Sequence, residues 1–207
     1  MKETWARRGF LLLPALAFGL WFWAFAVPAG NFWLKISISA AALATLSCLL
    51  DRGTTQSFKL SVRTVALGVL AAAALYAVFM IGRLIAIHLF GFAEAQIGGI
   101  YAKGSGTPLW RIALLLFFVT GPCEEIFWRG YLQRGLQKRF GGTKGYLLAT
   151  ALYAGVHIPS LNFMLVGAAA VAGAFWGAFY WGSRNLSAAI ISHSTWSTVI
   201  FTIFPLH

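Results

Sequence analysis

The run Ile112-Ala113-Leu114-Leu115-Leu116-Phe117-Phe118-Val119-Thr120-Gly121-Pro122-Cys123-Glu124-Glu125-Ile126-Phe127-Trp128-Arg129 sets two adjacent acids inside an otherwise apolar stretch. A carboxylate in hydrocarbon costs several kcal/mol, so acids within a membrane span face a bundle interior and serve a function. The helical pattern begins near Leu109 and continues to about Phe140, where Gly141-Gly142 ends it. Gly121-Pro122 is an expected kink.

Further apolar runs lie on both sides. They cover about residues 9–27, 31–50, 65–90, 143–158, 161–181 and 186–204, and with 109–140 they make seven expected spans. Of the 207 residues, 59% are hydrophobic and 10% charged, and the mean hydropathy is +0.77. Soluble domains carry roughly 25% charged residues, so a water-soluble globule is excluded. Two cysteines exclude a disulfide scaffold, and Cys48 and Cys123, both in apolar stretches, are not expected to pair. At about 20 residues per crossing, the length allows no more than eight or so spans. The expected fold is all-α: a polytopic transmembrane helical bundle of about seven spans, forming one domain over residues 1–207.

Sixteen Lys and Arg stand against five acids, a formal charge of +11. The basic residues fall in short segments between apolar runs, which reads as topology and not as nucleic-acid binding. The N-terminus, the 51–63 loop, the 129–144 region and Arg184 are assigned to the cytoplasmic side. The nearly neutral 28–30, 91–108 and 159–160 connections are assigned to the opposite side, and the seven spans then alternate without conflict. Ala24-Phe25-Ala26 looks like a signal cleavage site. The preceding run is too long and aromatic for a signal core, so it is read as an uncleaved first span.

Arg129 lies four residues after Glu125 on the same helical face, where an ion pair can form. Glu124 points about 100° away around the helix and has no such cation, which suits it to proton transfer. His88, near the end of the third span, reads as interfacial, and His207 is terminal. His157 and His193 sit in apolar helices. The hairpin turn at Phe140-Gly141 has Glu124 16 residues before it and His157 16 after it. At about 1.5 Å per residue both are ~24 Å from the turn, or ~15 Å deep if the basic helix end projects into the cytoplasm. His193 reaches ~14 Å past Arg184 from the same side. Three polar groups from three helices are therefore expected in one layer.

A glutamate and a histidine holding a water supply a general base, and a second histidine can stabilise an oxyanion. This is the chemistry of amide hydrolysis. Glu124, His157 and His193 are also a minimal ligand set for a divalent metal such as zinc. The sequence lacks a His-Glu-x-x-His helix, so metal-free base catalysis with no cofactor is the favoured reading. Ser192, Ser194 and Ser197 lie near His193, but no further acid completes a serine triad.

Glu124-Glu125-Ile126-Phe127-Trp128-Arg129, continued by Gly130-Tyr131-Leu132-Gln133, resembles the Glu-Glu-x-x-x-Arg motif of the CPBP family of CAAX proteases and bacteriocin-processing or immunity proteins. Tyr153-Ala154-Gly155-Val156-His157 resembles the family's aromatic-x-x-x-His motif, with Tyr where Phe is usual. His193-Ser194-Thr195-Trp196-Ser197 is similar to its His-x-x-x-Asn motif, with Ser197 where Asn or Asp is expected. The resemblance covers about residues 109–204, and residues 1–108 carry three spans outside it.

The resemblance implies an intramembrane endopeptidase in which Glu124 with His157 activates water and His193 stabilises the oxyanion. Glu125 and Arg129 would hold the site in shape, and Ser197 would take the supporting fourth position. The family is often described as metallopeptidases. The partners implied are membrane lipids and a protein or lipidated peptide substrate cut near its C-terminus or the membrane boundary. The expected location is the bacterial inner membrane, with the site reached from the cytoplasmic side. Two other readings are a proton-coupled transporter relaying protons through Glu124 and the histidines, and a catalytically weak partner-binding or immunity protein, which Ser197 favours. Trp21, Trp23, Trp176 and Trp181 are assigned to interfacial belts and helix packing. The small-residue run from Gly167 to Gly177 is assigned to close helix approach.

Overall fold

The computed structural model describes residues 2–206, with side chains from Leu12 onward. Met1 and His207 lie outside the described residues. Within these limits every regular element is helical: α1 (Lys2–Ala26), α2 (Phe32–Leu50), α3 (Val62–Leu89), α4 (Ala93–Tyr101), α5 (Leu109–Leu115), α6 (Gly121–Glu125), α7 (Arg134–Phe140), α8 (Gly142–Gly155), α9 (Phe163–Ser183) and α10 (Leu186–Thr198). Four helices are long and apolar enough to cross a membrane by themselves: Phe32–Leu50, Val62–Leu89, Phe163–Ser183 and Leu186–Ile203. The remaining expected spans correspond to the shorter apolar helix Leu12–Ala26, the path from α5 to α7, and α8. The protein is a polytopic helical membrane bundle.

Helix starts are written in the sequence. Asn31, Ser61, Asn162 and Asn185 precede α2, α3, α9 and α10, and each side-chain oxygen accepts from a backbone N–H three residues on. Such caps satisfy donors that have no partner within the helix. The end of α1 is served from another helix. The buried Lys35 on α2 donates its Nζ to the carbonyl oxygens of Val27, at 2.5 Å, and Trp23, at 3.2 Å. An apolar end there would leave orphan carbonyls in a low-dielectric setting.

The α5–α7 path does not break at Pro122. It widens into π-helical turns at Leu116–Thr120 and Ile126–Gln133 on either side of α6. The N–H of Gly121 bonds to the carbonyl of Leu116, five residues back. Proline brings no N–H, and the wider turn keeps its ring clear of the carbonyl four residues earlier. The expected kink is thus realised as a change of register.

Two segments differ from the sequence reading. The 91–108 connection, read as a loop, contains α4, whose buried face centres on Ala93. It is tied down where Asn162 Nδ2 donates to the carbonyl of Gln96 and Met164 N–H donates to Gln96 Oε1. The helix expected over 143–158 ends at Gly155, so His157 stands in the turn before a 3₁₀ segment, Ile158–Ser160. A histidine just past a helix end has a different reach from one within it.

α3 packs along α10, α8 along α9 and α1 along α2. Two glycines make the contacts around the acids. A Cβ on Gly121 would lie 2.6 Å from Ser194 Oγ, so α6 and α10 meet nearly backbone to backbone. A Cβ on Gly173 would lie 2.8 Å from the Tyr153 ring. The expected role of the Gly167–Gly177 run in close approach holds at its C-terminal part, whereas Gly167 faces open space. Trp21 and Trp176 are fully interior, which is helix packing and not a belt. Cys48 and Cys123 are free thiols.

The basic end of the bundle is fastened by hydrogen bonds between distant segments. Arg134 Nη2 meets Asp51 Oδ2 at 2.5 Å, Gln133 Nε2 donates to the Gly177 carbonyl at 2.8 Å, and Leu186 N–H donates to the Ser57 carbonyl at 3.0 Å. Lys59 N–H donates to Ser187 Oγ at 3.1 Å. Each removes a backbone or side-chain polar group from competition with solvent.

Candidate active site

α6 presents its two glutamates in different directions. Glu125 is fully buried behind the site, and its Oε1 accepts from Arg129 Nη1 at 2.8 Å, the ion pair its spacing anticipates. The same oxygen lies 2.7 Å from His193 Nδ1 on α10. Arg129 then donates through Nη2 to the carbonyl of Gly173 at 3.2 Å, and its guanidinium lies over the rings of Tyr153 and Trp176. One carboxylate oxygen therefore joins α6, α10 and, through Arg129, α9.

Glu124 faces the other way, into a cavity of about 450 Å³ whose walls are mostly apolar. Its Oε2 accepts from the Tyr153 hydroxyl at 3.1 Å. His157, His193, Ser197 and Thr120 line the same cavity, and Glu124, both histidines and Ser197 are all buried. A carbonyl oxygen only accepts, so His157 Nδ1 carries the proton it donates to the Tyr153 carbonyl at 2.8 Å. Its Nε2 is then an acceptor in the neutral ring. The His193 ring is stacked on Trp176, with centroids 3.8 Å apart at 15°, and Trp176 Nε1 donates to Ser192 Oγ.

The structure thus brings Glu124, His157 and His193 to one cavity, with Ser197 beside them and Glu125 and Arg129 in support. His88 stands apart, at the exposed end of α3, bonded to the Leu84 carbonyl. Two contributors have no chemical role in the sequence reading. Tyr153 reads as the aromatic member of a motif, but its hydroxyl holds Glu124. Trp176 reads as packing, but it fixes the plane of His193. The signal for Tyr153 is its spacing, four residues before His157. Trp176 offers none, because its contact is made between helices.

Among the described residues, no group of three or more His, Cys, Asp or Glu side chains is close enough to hold a metal ion together. Glu124, His157 and His193 line the cavity without forming such a set. Lys103, on the cavity wall, lies over the rings of Phe25 and Phe32. Burial, and then the neighbouring charge of Lys35, holds its ammonium below the usual lysine range.

The helical membrane bundle thus gathers a glutamate and two histidines around one cavity. Residues 106–199 match the family model described as type II CAAX prenyl endopeptidase Rce1-like, which supports a place in the CPBP/CAAX protease family. The matched stretch is just under half of the chain and contains all three motifs. No curated protein and no solved structure matches the chain.

Proposed function

We propose that the protein is an intramembrane endopeptidase that hydrolyses a peptide bond near the C-terminus or membrane boundary of its substrate, with Glu124 and His157 activating water and His193 stabilising the oxyanion. The observation that carries this reading is the convergence of these three buried side chains, from α6, the end of α8 and α10, on one cavity. Glu124 takes a proton from water while the Nε2 lone pair of His157 accepts the second hydrogen and orients the molecule. The water oxygen bonds to the scissile carbonyl carbon, and the carbonyl electron pair moves to its oxygen. A doubly protonated His193, with Nδ1–H donated to Glu125, presents Nε2–H to that oxyanion. The carbon–nitrogen bond then breaks, and the proton held by Glu124 passes to the leaving amine.

Ser197 is buried beside His193 and supplies a hydroxyl where the family motif has an amide. We assign it a second donor role toward the oxyanion. The proposed chemistry uses only the chain's own groups and needs no metal. The proposed setting is the bacterial inner membrane, with the basic loops in the cytoplasm.

The test is cleavage of a peptide library by the reconstituted protein and by Glu124→Gln. The substitution preserves shape and an acceptor for the Tyr153 hydroxyl but removes the base. Cleavage by the wild type that is lost in a normally folded Glu124→Gln supports the reading. Equal cleavage by both removes Glu124 from the mechanism.

A further inference from the structure

Thr120 stands four residues before Glu124, and both line the cavity, but the proposed chemistry gives its hydroxyl no task. Its Oγ1 lies 2.9 Å from Oγ of Ser37 on α2. Ser37 is buried too, and it does not line the cavity. Serine and threonine within helices commonly return their proton to the carbonyl four residues back. Ser39 and Ser47 on α2 do so, to Lys35 and Leu43, and Thr202 does so to Thr198. Ser37 and Thr120 do not: among the described residues each has the other as its hydrogen-bond partner and makes no second bond through its hydroxyl. The carbonyl four residues before Thr120 is that of Leu116, which receives the Gly121 N–H in the π-helical turn.

Two hydroxyls carry two hydrogens, and one bond uses only one of them. If Thr120 donated, the Ser37 hydrogen would be left inside the protein, away from the cavity and without an acceptor, at the full desolvation cost of a buried donor. If Ser37 donates, the spare hydrogen is that of Thr120, on the cavity wall. The bond therefore runs from Ser37 to Thr120, and Thr120 offers its proton to what fills the chamber. Glu124 is not the taker, since its hydrogen bond comes from the Tyr153 hydroxyl. Nor is the attacking water, because a donor there would occupy the lone pair that must reach the carbonyl carbon. The oxyanion has its donors on α10, in His193 and Ser197. A peptide between mostly apolar walls brings further carbonyl oxygens, and each has given up water and needs a donor.

We propose that Thr120, oriented by Ser37, binds the substrate: its hydroxyl donates to a backbone carbonyl of the peptide beside the scissile bond. This deepens the protease reading and rests on it for the peptide in the chamber. Ser37 is a positioning residue that acts only through Thr120. It lies outside the residues matched by the family model, so α2 contributes to the site from the other part of the chain. A contact to the main chain aligns a peptide without selecting its side chains.

The experiment measures binding in the Glu124→Gln background, where it is read without cleavage. The probe is a fluorescein-labelled peptide selected from the library by its anisotropy with this parent protein. Thr120→Val, which keeps the shape and loses the hydroxyl, is expected to weaken binding about tenfold, with Thr120→Ser within about threefold of the parent. Ser37→Ala is expected to weaken it about threefold, and to add nothing once Thr120→Val is present. Analogues then carry a thioamide, whose sulfur accepts hydrogen bonds poorly, at each amide in turn. One analogue is expected to bind the parent more weakly than the unmodified peptide, and Thr120→Val equally well. Its thioamide is expected next to the bond that the wild-type protein cuts.

Binding by Thr120→Val equal to the parent's overturns the proposal, and so does a library from which no peptide binds. Additive losses from Ser37→Ala and Thr120→Val also overturn it, as does a sensitive amide remote from the cut bond. A merely structural role for Thr120 would weaken every analogue alike, with the same thioamide penalties in both proteins, and that result overturns it as well. If binding runs as expected while Glu124→Gln cleaves like the wild type, or while neither cuts any peptide, the protease reading fails and the Thr120 contact to a peptide carbonyl stands.

Discussion

Nδ1 of His193 lies 2.7 Å from Oε1 of Glu125, the same oxygen that receives Arg129 Nη1 at 2.8 Å. The histidine of one helix and the arginine of another are thus registered against each other by a single buried atom. Glu125 in consequence holds His193 at the cavity wall without lining the cavity itself.

Glu125→Gln is expected to lower stability by about 3–5 kcal/mol, the usual cost of removing one partner from a buried charge pair. It leaves Arg129 without its carboxylate and His193 without its anchor. Thermal unfolding in detergent reads the first effect. A fall in kcat with KM little changed reads the second, and a KM effect alone would count against a role in orienting His193.

Tyr153→Phe keeps the ring that packs on Trp128 and lies under Arg129, and removes only the hydroxyl that donates to Glu124. One hydrogen bond of this kind contributes about 0.5–1.5 kcal/mol, or more toward an ionised acceptor. We expect kcat/KM to fall roughly tenfold, with a small drop in the unfolding midpoint. Wild-type activity in this variant would show that the hydroxyl does not hold Glu124 during the reaction.

Ser197 is tested in two directions. Ser197→Ala removes the proposed second oxyanion donor and should lower kcat by about a hundredfold, the low end of the range for loss of one oxyanion donor. Ser197→Asn supplies the amide of the family motif and should retain turnover well above the alanine variant. If the two variants are equally active, the position contributes no donor.

Gly121→Val addresses the α6–α10 contact. Its Cβ would fall 2.9 Å from the Ser194 Cα, a backbone atom that cannot swing aside. Overpacking of this kind costs about 1–3 kcal/mol, and the helix shift would draw Glu125 away from His193. Loss of both stability and cleavage is expected, with Gly121→Ala falling between valine and the wild type.

Metal removal separates the two chemistries available to a glutamate and two histidines. Cleavage is expected to survive exhaustive treatment with a chelator, and the purified protein should hold far less than one equivalent of bound zinc. Activity lost to the chelator and regained on adding a divalent ion would transfer the mechanism to a metal.

The membrane bundle was legible without coordinates because hydrophobic content, run length and loop charge are additive along a chain and need no knowledge of neighbours. The Glu125–Arg129 pair was legible for a related reason: residues four apart are brought together by the helix itself. The common layer of Glu124, His157 and His193 was accessible from rise per residue, although His157 proved to stand past the end of α8. Rotation about the helix axes was another matter. The π-helical turns beside Pro122 reset which side of the α5–α7 path faces α10, and no periodicity in the sequence records that reset. The pairing of His193 with Glu125 and the hold of Tyr153 on Glu124 depend on it, and the stacking of Trp176 on His193 depends on how α9 meets α10. Each is a contact between helices far apart in sequence, decided by how side-chain volumes fit when the bundle closes.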